Sequence, residues 1–169
     1  MTDKLKLYHI DDNYTTYLKQ FESHIWNNSG KGTQRPYVGT VIEINSYKYF
    51  APLTSPKQNN AHWKETLTTI RLLDSTTLLG FICLHNMIPV KIENISLVDL
   101  NTITDIRYRN FVIKEIVAIR KKSDKIRKSA LNLYNEITNP IITKPYILKI
   151  KPHCFKFKEL EQHCDSYNR

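Results

Sequence analysis

The hydrophobic pattern of this chain changes once, near residue 103, and this change restricts the fold more than any other feature. Before it, short runs of β-branched and aromatic residues alternate with tight polar connections, which is typical of antiparallel strands. After it, apolar residues recur at helical spacing. We predict an α+β fold: a compact, strongly twisted antiparallel sheet or partial barrel with surrounding helices. The 169 residues form one predicted domain, with a β-core at about 35–100 and a basic helical part at about 104–138.

The strand-like region contains two hairpin signatures. Asn45-Ser46 and Asp74-Ser75 are polar pairs that each separate two apolar runs, as the turn residues of a β-hairpin do. Two shorter runs add further pairing. The predicted strands are 37–44, 47–52, 67–73, 77–84, 87–90 and 95–98.

Four helices are predicted from apolar periodicity. Asp11 or Asp12 can cap the first, and Ser123 is a plausible cap for the third. A short strand is predicted at 147–150, between Pro145 and the last helix. The helical segments are 11–25, about 108–119, about 126–137 and about 156–165.

Composition excludes several classes of protein. Only four glycines are present, and neither a dinucleotide-binding nor a P-loop glycine motif occurs, so no nucleotide cofactor is expected. No apolar run has the length of a signal peptide or a membrane span. The cysteines Cys83, Cys154 and Cys164 are an odd, sparse set, which favours a reduced, cytoplasmic protein.

Positive charge is concentrated after residue 103. The net charge is +9; residues 104–169 carry fifteen Lys and Arg against seven acids, whereas residues 1–103 are nearly neutral. Such asymmetry favours a polyanionic partner, with nucleic acid ahead of acidic membrane or protein surfaces. We name the densest part the basic cluster and predict that it contacts RNA or DNA, with RNA favoured by the aromatic content of the chain. Its members are Arg107, Arg109, Lys114, Arg120, Lys121, Lys122, Lys125, Arg127 and Lys128.

The segment 51–57 is the strongest candidate for chemistry. Thr54, Ser55 and Lys57 follow a predicted strand. Two prolines, Pro52 and Pro56, flank Thr54 and Ser55 and restrict the backbone, and Lys57 directly follows the second. Arg35 and Tyr37 flank a third proline just before the first hairpin. From local chemistry alone, a capped turn is the alternative interpretation.

Other candidate sites are weaker. His153-Cys154 and His163-Cys164 suggest metal ligands, but adjacent side chains diverge, so packing of the cysteines is favoured and no metal is expected. His85, at a strand end, is either a general acid or a polar edge residue. Trp63, in a polar loop, is a candidate for stacking on an unpaired base. Lys31, in the polar loop 27–34, is included as an RNA-binding candidate.

In order and spacing, several motifs resemble the ToxN/AbiQ family of type III toxin–antitoxin endoribonucleases. The resemblance covers nearly the whole chain. It rests on Leu7-Tyr8, Asn13-Tyr14 with Tyr17-Leu18, Arg35-Pro36-Tyr37-Val38-Gly39, Glu43-Ile44-Asn45, Tyr47-Lys48-Tyr49, the block Ala51–Lys57, Asn86–Val90, and Cys154-Phe155 with Leu160-Glu161, Cys164 and Tyr167. Ser46 stands where relatives commonly have glycine. Loop 27–34 varies in length among relatives, so the resemblance assigns Lys31 no role.

The resemblance implies a sheet similar to the Kid/MazF toxins and metal-independent cleavage of RNA to a 2′,3′-cyclic phosphate and a 5′-hydroxyl. It also implies inhibition by a repeated RNA pseudoknot in a closed protein–RNA assembly, with growth arrest and phage resistance as outcomes. By position, Thr54, Ser55 and Lys57 match the family's active-site block, and Arg35 matches a basic position. No cofactor is implied.

Chemical reasoning is compatible with that assignment. The nucleophile, a 2′-hydroxyl, belongs to the substrate, so the protein must supply cations and hydroxyl donors around the phosphate. Lys57 and Arg35 suit the first role, and Thr54 and Ser55 the second. Two alternatives stay open at this point: a non-catalytic nucleic-acid-binding regulator, and a toxin inhibited by a protein partner.

Overall fold

Both predicted hairpins are present and lie next to each other in the sheet. In the computed structural model, which describes residues 3–26 and 34–168, Asn45 and Ser46 have φ values of 49° and 70°, and Ser75 has a φ of 55°. Two consecutive residues with positive φ match the right-handed twist of the flanking strands. The turns are therefore tight, and the registers continue directly from them, with Ile44 opposite Tyr47 and Asp74 opposite Thr77.

The described residues form a seven-stranded sheet in which every pairing is antiparallel. The strands are β1 (Lys6–Ile10), β2 (Tyr37–Ile44), β3 (Tyr47–Thr54), β4 (Thr69–Asp74), β5 (Thr77–Cys83), β6 (Ile88–Pro89) and β7 (Ile95–Leu97). Their order in the sheet is β4-β5-β3-β2-β1-β7, with β6 paired to β3, and the sheet is not closed into a barrel. The α+β class is confirmed, and β1 was not predicted.

Helices surround the sheet. They are α1 (Asp12–Lys19), α2 (Ile106–Lys121), α3 (Ser123–Thr138), α4 (Pro145–Ile150) and α5 (Phe157–Ser166). The predicted strand at 147–150 is wrong, because these residues belong to α4. The first predicted helix is also too long, since α1 ends at Lys19. Ser123 does not cap α3: its hydroxyl donates to the Arg120 carbonyl, 2.9 Å away.

The amphipathic prediction for α3 is confirmed. The apolar positions predicted to share one face are all buried, namely Ile126, Ala130, Leu133, Tyr134 and Ile137. α2 packs against β4 and β5, and burial of Val112 and Ile119 fixes which of its faces meets the sheet. The N-terminus of α2 is capped by Asp105, whose carboxylate accepts hydrogen bonds from the backbone N–H of Arg107 (2.8 Å) and Tyr108 (3.1 Å).

A buried hydrogen-bond network attaches α5 to the rest of the fold. The hydroxyls of Tyr49 in β3 and Tyr134 in α3 donate to Glu161 Oε1 at 2.7 and 2.6 Å. Lys158 lies 3.3 Å from the other carboxylate oxygen. A buried carboxylate with this many partners stabilises the junction instead of weakening it.

The three cysteines are free and buried, as the packing interpretation predicted. His163 stacks on Phe21, with ring centroids 3.5 Å apart. Among the described residues, none of the helices has the length and apolarity that crossing a membrane requires.

Candidate active site

A cleft of about 510 Å³ opens where β3 ends. Its walls come from the loop after β3, the segment before β2, and one face of α2. It is lined by Trp26, Gln34, Arg35, Pro36, Leu53, Thr54, Ser55, Lys57, Asp105, Tyr108, Phe111 and Glu115. The fold thus brings together four of the five predicted catalytic residues, although they come from two separate segments.

A buried asparagine holds the loop after β3. Asn60 is 4% exposed; its Oδ1 accepts from the Lys57 backbone N–H at 2.6 Å, and its Nδ2 donates to the Ser55 carbonyl at 3.2 Å. The Ala61 N–H closes the turn by donating to the Lys57 carbonyl at 2.9 Å. Asn60 was not predicted; an asparagine three residues after Lys57, beyond a proline, is the local signal for such a turn.

This anchoring leaves the polar side chains of the loop accessible. Ser55 and Lys57 are exposed and Thr54 is half-buried. Within the described part of the chain, neither the Ser55 hydroxyl nor the Lys57 ammonium has an intramolecular partner. The backbone is therefore fixed while two hydroxyls and an ammonium can approach a ligand.

Arg35 reaches the same cleft from the segment before β2. Its guanidinium carbon lies 3.8 Å from the centroid of the Trp26 ring, a cation–π contact. Burial lowers the pKa of Arg35 from its ordinary value, but a guanidinium remains charged at neutral pH. The cleft thus contains a second cation besides Lys57, stacked on an aromatic ring.

Tyr37 is the exception among the predicted catalytic residues. It belongs to β2, opposite Pro52, and is 3% exposed. Burial raises the pKa of its phenol. Its side chain is absent from the cleft lining and, like those of the next residues of β2, lies in the buried part of the strand. A catalytic role for Tyr37 stays a prediction.

Glu115 is a cleft residue that the sequence did not reveal. It lies on the cleft face of α2, is 5% exposed, and burial raises its pKa to about 7. The close approach of β5 to β3 depends on Gly80, since a Cβ there would lie 2.7 Å from the Thr54 carbonyl oxygen and 3.7 Å from Glu115 Oε1. The Glu115 carboxylate therefore lies beside the Thr54 end of β3.

Comparison with known proteins identifies the family. Residues 6–165 match the family model described as Toxin ToxN, type III toxin-antitoxin system. The chain belongs to the ToxN toxin family. Among curated relatives, the endoribonuclease ToxN of Pectobacterium atrosepticum is 36% identical over 137 residues, covering 78% of this chain and 80% of the relative. The endoribonuclease AbiQ of Lactococcus lactis subsp. lactis is 27% identical, covering 98% of this chain and 90% of AbiQ.

Solved structures agree with this ToxN-family assignment. One comes from work on bacterial type III toxin–antitoxin systems and selective toxin inhibition by a non-coding RNA pseudoknot. It has a TM-score of 0.87 and 27% identity to this chain, with 98% of each chain covered. Another, described as a processed non-coding RNA that regulates a bacterial antiviral system, has a TM-score of 0.81 and 30% identity, covering 97% of this chain and 99% of the other. The resemblance of the sheet to Kid/MazF toxins stays a prediction.

In this ToxN-family chain, the basic cluster divides into two groups. The first is held by intramolecular contacts. Lys114 pairs with Asp74 (2.9 Å), Lys122 pairs with Glu65 (2.7 Å) and donates to the Arg71 carbonyl (2.8 Å), Lys125 also pairs with Glu65, and Arg127 donates to the carbonyls of Thr40 (2.8 Å) and Asp3.

Glu65, which the sequence did not single out, is the centre of these contacts. Burial acts to raise its pKa, but the hydrogen bonds from Lys122 and Lys125 outweigh it, so the pKa is lowered. Glu65 therefore ties the α2–α3 junction to the start of β4.

The second group of the basic cluster has no ion pair within the described part of the chain. Its members are Arg107, Arg109, Arg120, Lys121 and Lys128. All are exposed except Arg109, which is half-buried. RNA binding stays a prediction for the whole cluster, and this second group offers the cations that no internal carboxylate occupies.

The remaining candidates lie away from the cleft lining or outside the described residues. Trp63 is 38% exposed and its ring packs on Phe81, with centroids 5.4 Å apart. His85 is half-buried: its Nδ1 lies 3.2 Å from the Thr68 carbonyl oxygen, and burial lowers its pKa. Those contacts favour the polar edge interpretation of His85. Lys31 falls outside the described residues.

Proposed function

We propose that this ToxN-family chain is a metal-independent endoribonuclease toxin that cleaves RNA by attack of the 2′-hydroxyl on the adjacent phosphate. The products are a 2′,3′-cyclic phosphate and a 5′-hydroxyl. Its antitoxin is a repeated RNA pseudoknot, its setting is the cytoplasm, and its outcome is growth arrest and resistance to phage. The naming of its relatives as endoribonucleases supports the reaction class.

The observation that carries the proposal is that Thr54, Ser55, Lys57 and Arg35 line one cleft. A phosphodiester is an anion, and the phosphorane formed during attack carries additional negative charge. Two cations and two hydroxyls meeting in one place are the groups that such a charge requires. Each well-placed donor contributes ~3 kcal/mol to a transition state of this kind.

The roles follow from chemistry and location. Lys57 and Arg35 approach the phosphate from two different segments, so a nucleotide bound between them is contacted from both sides. The Thr54 and Ser55 hydroxyls donate to its non-bridging oxygens. Because the nucleophile and leaving group are both parts of the RNA, the protein's task is to orient them and to stabilise charge.

An RNA antitoxin is supported by the solved relatives, one of which is described as inhibited by a non-coding RNA pseudoknot. The unpaired members of the basic cluster supply phosphate-binding cations outside the cleft. We therefore assign antitoxin contact to them and substrate contact to the cleft.

The test is cleavage of total RNA by purified, RNA-free protein in the presence of EDTA. We expect new 5′ ends that polynucleotide kinase labels without prior phosphatase treatment, and 3′ ends blocked to ligation. Ser55→Ala and Lys57→Ala are expected to abolish cleavage and growth arrest while binding of antitoxin RNA persists.

Matched controls are Ser96→Ala and Lys149→Ala, which replace exposed residues of the same types outside the cleft and should cleave at the wild-type rate. RNA binding without cleavage by the wild-type protein would favour the regulator instead. Co-purification with a polypeptide rather than RNA would indicate a protein antitoxin. Full activity of both cleft variants would refute the site.

A further inference from the structure

Two glutamates, Glu115 and Glu161, are buried to the same degree, each 5% exposed, yet their surroundings differ. Glu161 accepts hydrogen bonds from two tyrosine hydroxyls and pairs with Lys158. The Glu115 carboxylate has no hydrogen bond and no ion pair to any described residue. A buried acid without a partner is costly and uncommon, and such groups concentrate at functional sites.

Glu115 is also the buried acid that faces the cleft. Its carboxylate lies beside the end of β3, where Gly80 leaves room for it. The charged and titratable groups that share the cleft are Arg35, Lys57, Asp105 and Tyr108. Two are cations that attract a phosphate, and neither is bonded to Glu115, so the carboxylate is available to a ligand held between them.

We propose that Glu115 is the general base of the cleft and takes the proton of the attacking 2′-hydroxyl. This inference rests on the proposed function, since it assumes that RNA is cut in this cleft. As the O–H bond breaks, its electron pair forms the O2′–P bond and the proton moves to the Glu115 carboxylate. The P–O5′ bond then breaks with its electron pair on O5′, which takes a proton from the Lys57 ammonium; solvent restores both groups.

The environment of Glu115 suits this role. Burial in an apolar setting raises its pKa to about 7, so the carboxylate is a stronger base than an exposed one and is still substantially ionised at neutral pH. General bases act most effectively when their pKa lies near the working pH. Its position in the cleft lets the Glu115 carboxylate reach a bound 2′-hydroxyl, and burial makes this carboxylate a stronger base.

The experiment measures single-turnover cleavage of a defined RNA from pH 5 to pH 9 by the wild type, Glu115→Gln and Glu115→Asp. For the wild type we expect the rate to rise about tenfold per pH unit below pH 7 and then to level. Glu115→Gln should cleave roughly 100- to 10,000-fold more slowly at pH 8 and lose this rise, while RNA affinity is unchanged. Glu115→Asp should keep a rise with pH at a lower rate.

Glu136→Gln is the matched control, because Glu136 lies on α3 and pairs with Lys144 outside the cleft; it should cleave like the wild type. If Glu115→Gln keeps the wild-type rate and pH profile while Ser55→Ala is inactive, the base assignment is overturned and the proposed function stands. A wild-type rate that falls with rising pH through 7 also overturns it. If the wild type does not cleave RNA at all, the proposed function itself fails.

Should Glu115→Gln not fold, the wild-type and Glu115→Asp profiles decide. If the cleavage rate rises with pH in both proteins, and the pH range of the rise differs between them, the assignment is supported. Profiles that are flat from pH 5 to pH 9 refute it.

Discussion

Replacing Glu115 by glutamine should stabilise the fold at pH 8 by about 3 kcal/mol, while removing activity. The carboxyl is buried without a partner, and its pKa is about 7 in the fold against an ordinary 4.5. Each difference of one in pKa between the folded and unfolded states corresponds to about 1.4 kcal/mol. Glutamine keeps the size and polarity of the side chain but cannot ionise, so it removes only the cost of burying a charge.

The sign of the pH dependence follows from the two pKa values. Below about pH 4.5 the carboxyl is protonated in both states, and the protonated form is tolerated by the fold. Between about pH 4.5 and 7 the unfolded chain loses this proton and the fold keeps it, so the free energy of unfolding decreases as pH rises. Above about pH 7 the carboxyl is ionised in both the folded and the unfolded state, and the free energy of unfolding decreases no further.

Urea denaturation followed by tryptophan fluorescence measures the effect at pH 8 and pH 5. At pH 8 the variant's advantage of about 3 kcal/mol corresponds to a rise in Tm of roughly 6–12 °C for a chain of this size. At pH 5 the advantage should be less than about 1 kcal/mol. Glu136→Gln should show neither effect. A variant whose advantage is equal at both pH values, or that is less stable than the wild type at pH 8, would refute this account of Glu115.

Three further predictions concern the loop, the hairpin turn and the basic cluster. Asn60→Ala removes two buried hydrogen bonds; it should lower the free energy of unfolding by about 1–3 kcal/mol and slow RNA cleavage, and unaltered values in urea melts and cleavage assays would contradict its role. Ser46→Gly relieves a positive φ and should raise stability in the same melts by about 0.5–1 kcal/mol, with destabilisation the contrary result. Arg120→Glu should weaken antitoxin RNA binding. It should also reduce the slope of log binding constant against log salt concentration by about one, as expected for the loss of one phosphate contact, measured by titration at several salt concentrations. Lys122→Ala, which breaks the contact with Glu65, should instead lower stability and change RNA affinity less than Arg120→Glu; the reverse order would be evidence against this division of the cluster.

Local chemistry made much of the fold predictable. The turn at Asn45-Ser46 is marked by two polar turn residues, of which Asn45 tolerates positive φ, and α3 is specified by an apolar face that needs only helical spacing. β1 was missed because its five residues become a strand only by pairing with β2 and β7, which are distant in sequence. The run at 147–150 fits a strand or a helix by composition, and Pro145 at the start of α4 is the local feature that favours the helix.

For the cleft residues too, those marked by local sequence could be predicted and those placed by long-range packing could not. Thr54, Ser55 and Lys57 could be selected because prolines and residue type mark the loop in the sequence itself. The burial of Tyr37 could not be predicted, because the side of the sheet that a strand residue faces depends on the register of its neighbours. Glu115 appears in the sequence as an acid within a basic cluster, and only the packing of α2 against β4 and β5 buries it beside the end of β3.

The contrast between Glu115 and Glu161 links stability to function in this fold. A cost of about 3 kcal/mol is a large share of the 5–15 kcal/mol by which domains are typically stable. Glu161 shows that the chain can satisfy a buried carboxylate where it needs one, with two tyrosines and a lysine. At Glu115 any comparable donor would occupy the carboxylate and prevent it from accepting a proton from substrate. The missing partner is therefore what a general base requires, and its destabilising effect is expected to disappear together with catalysis when the charge is removed.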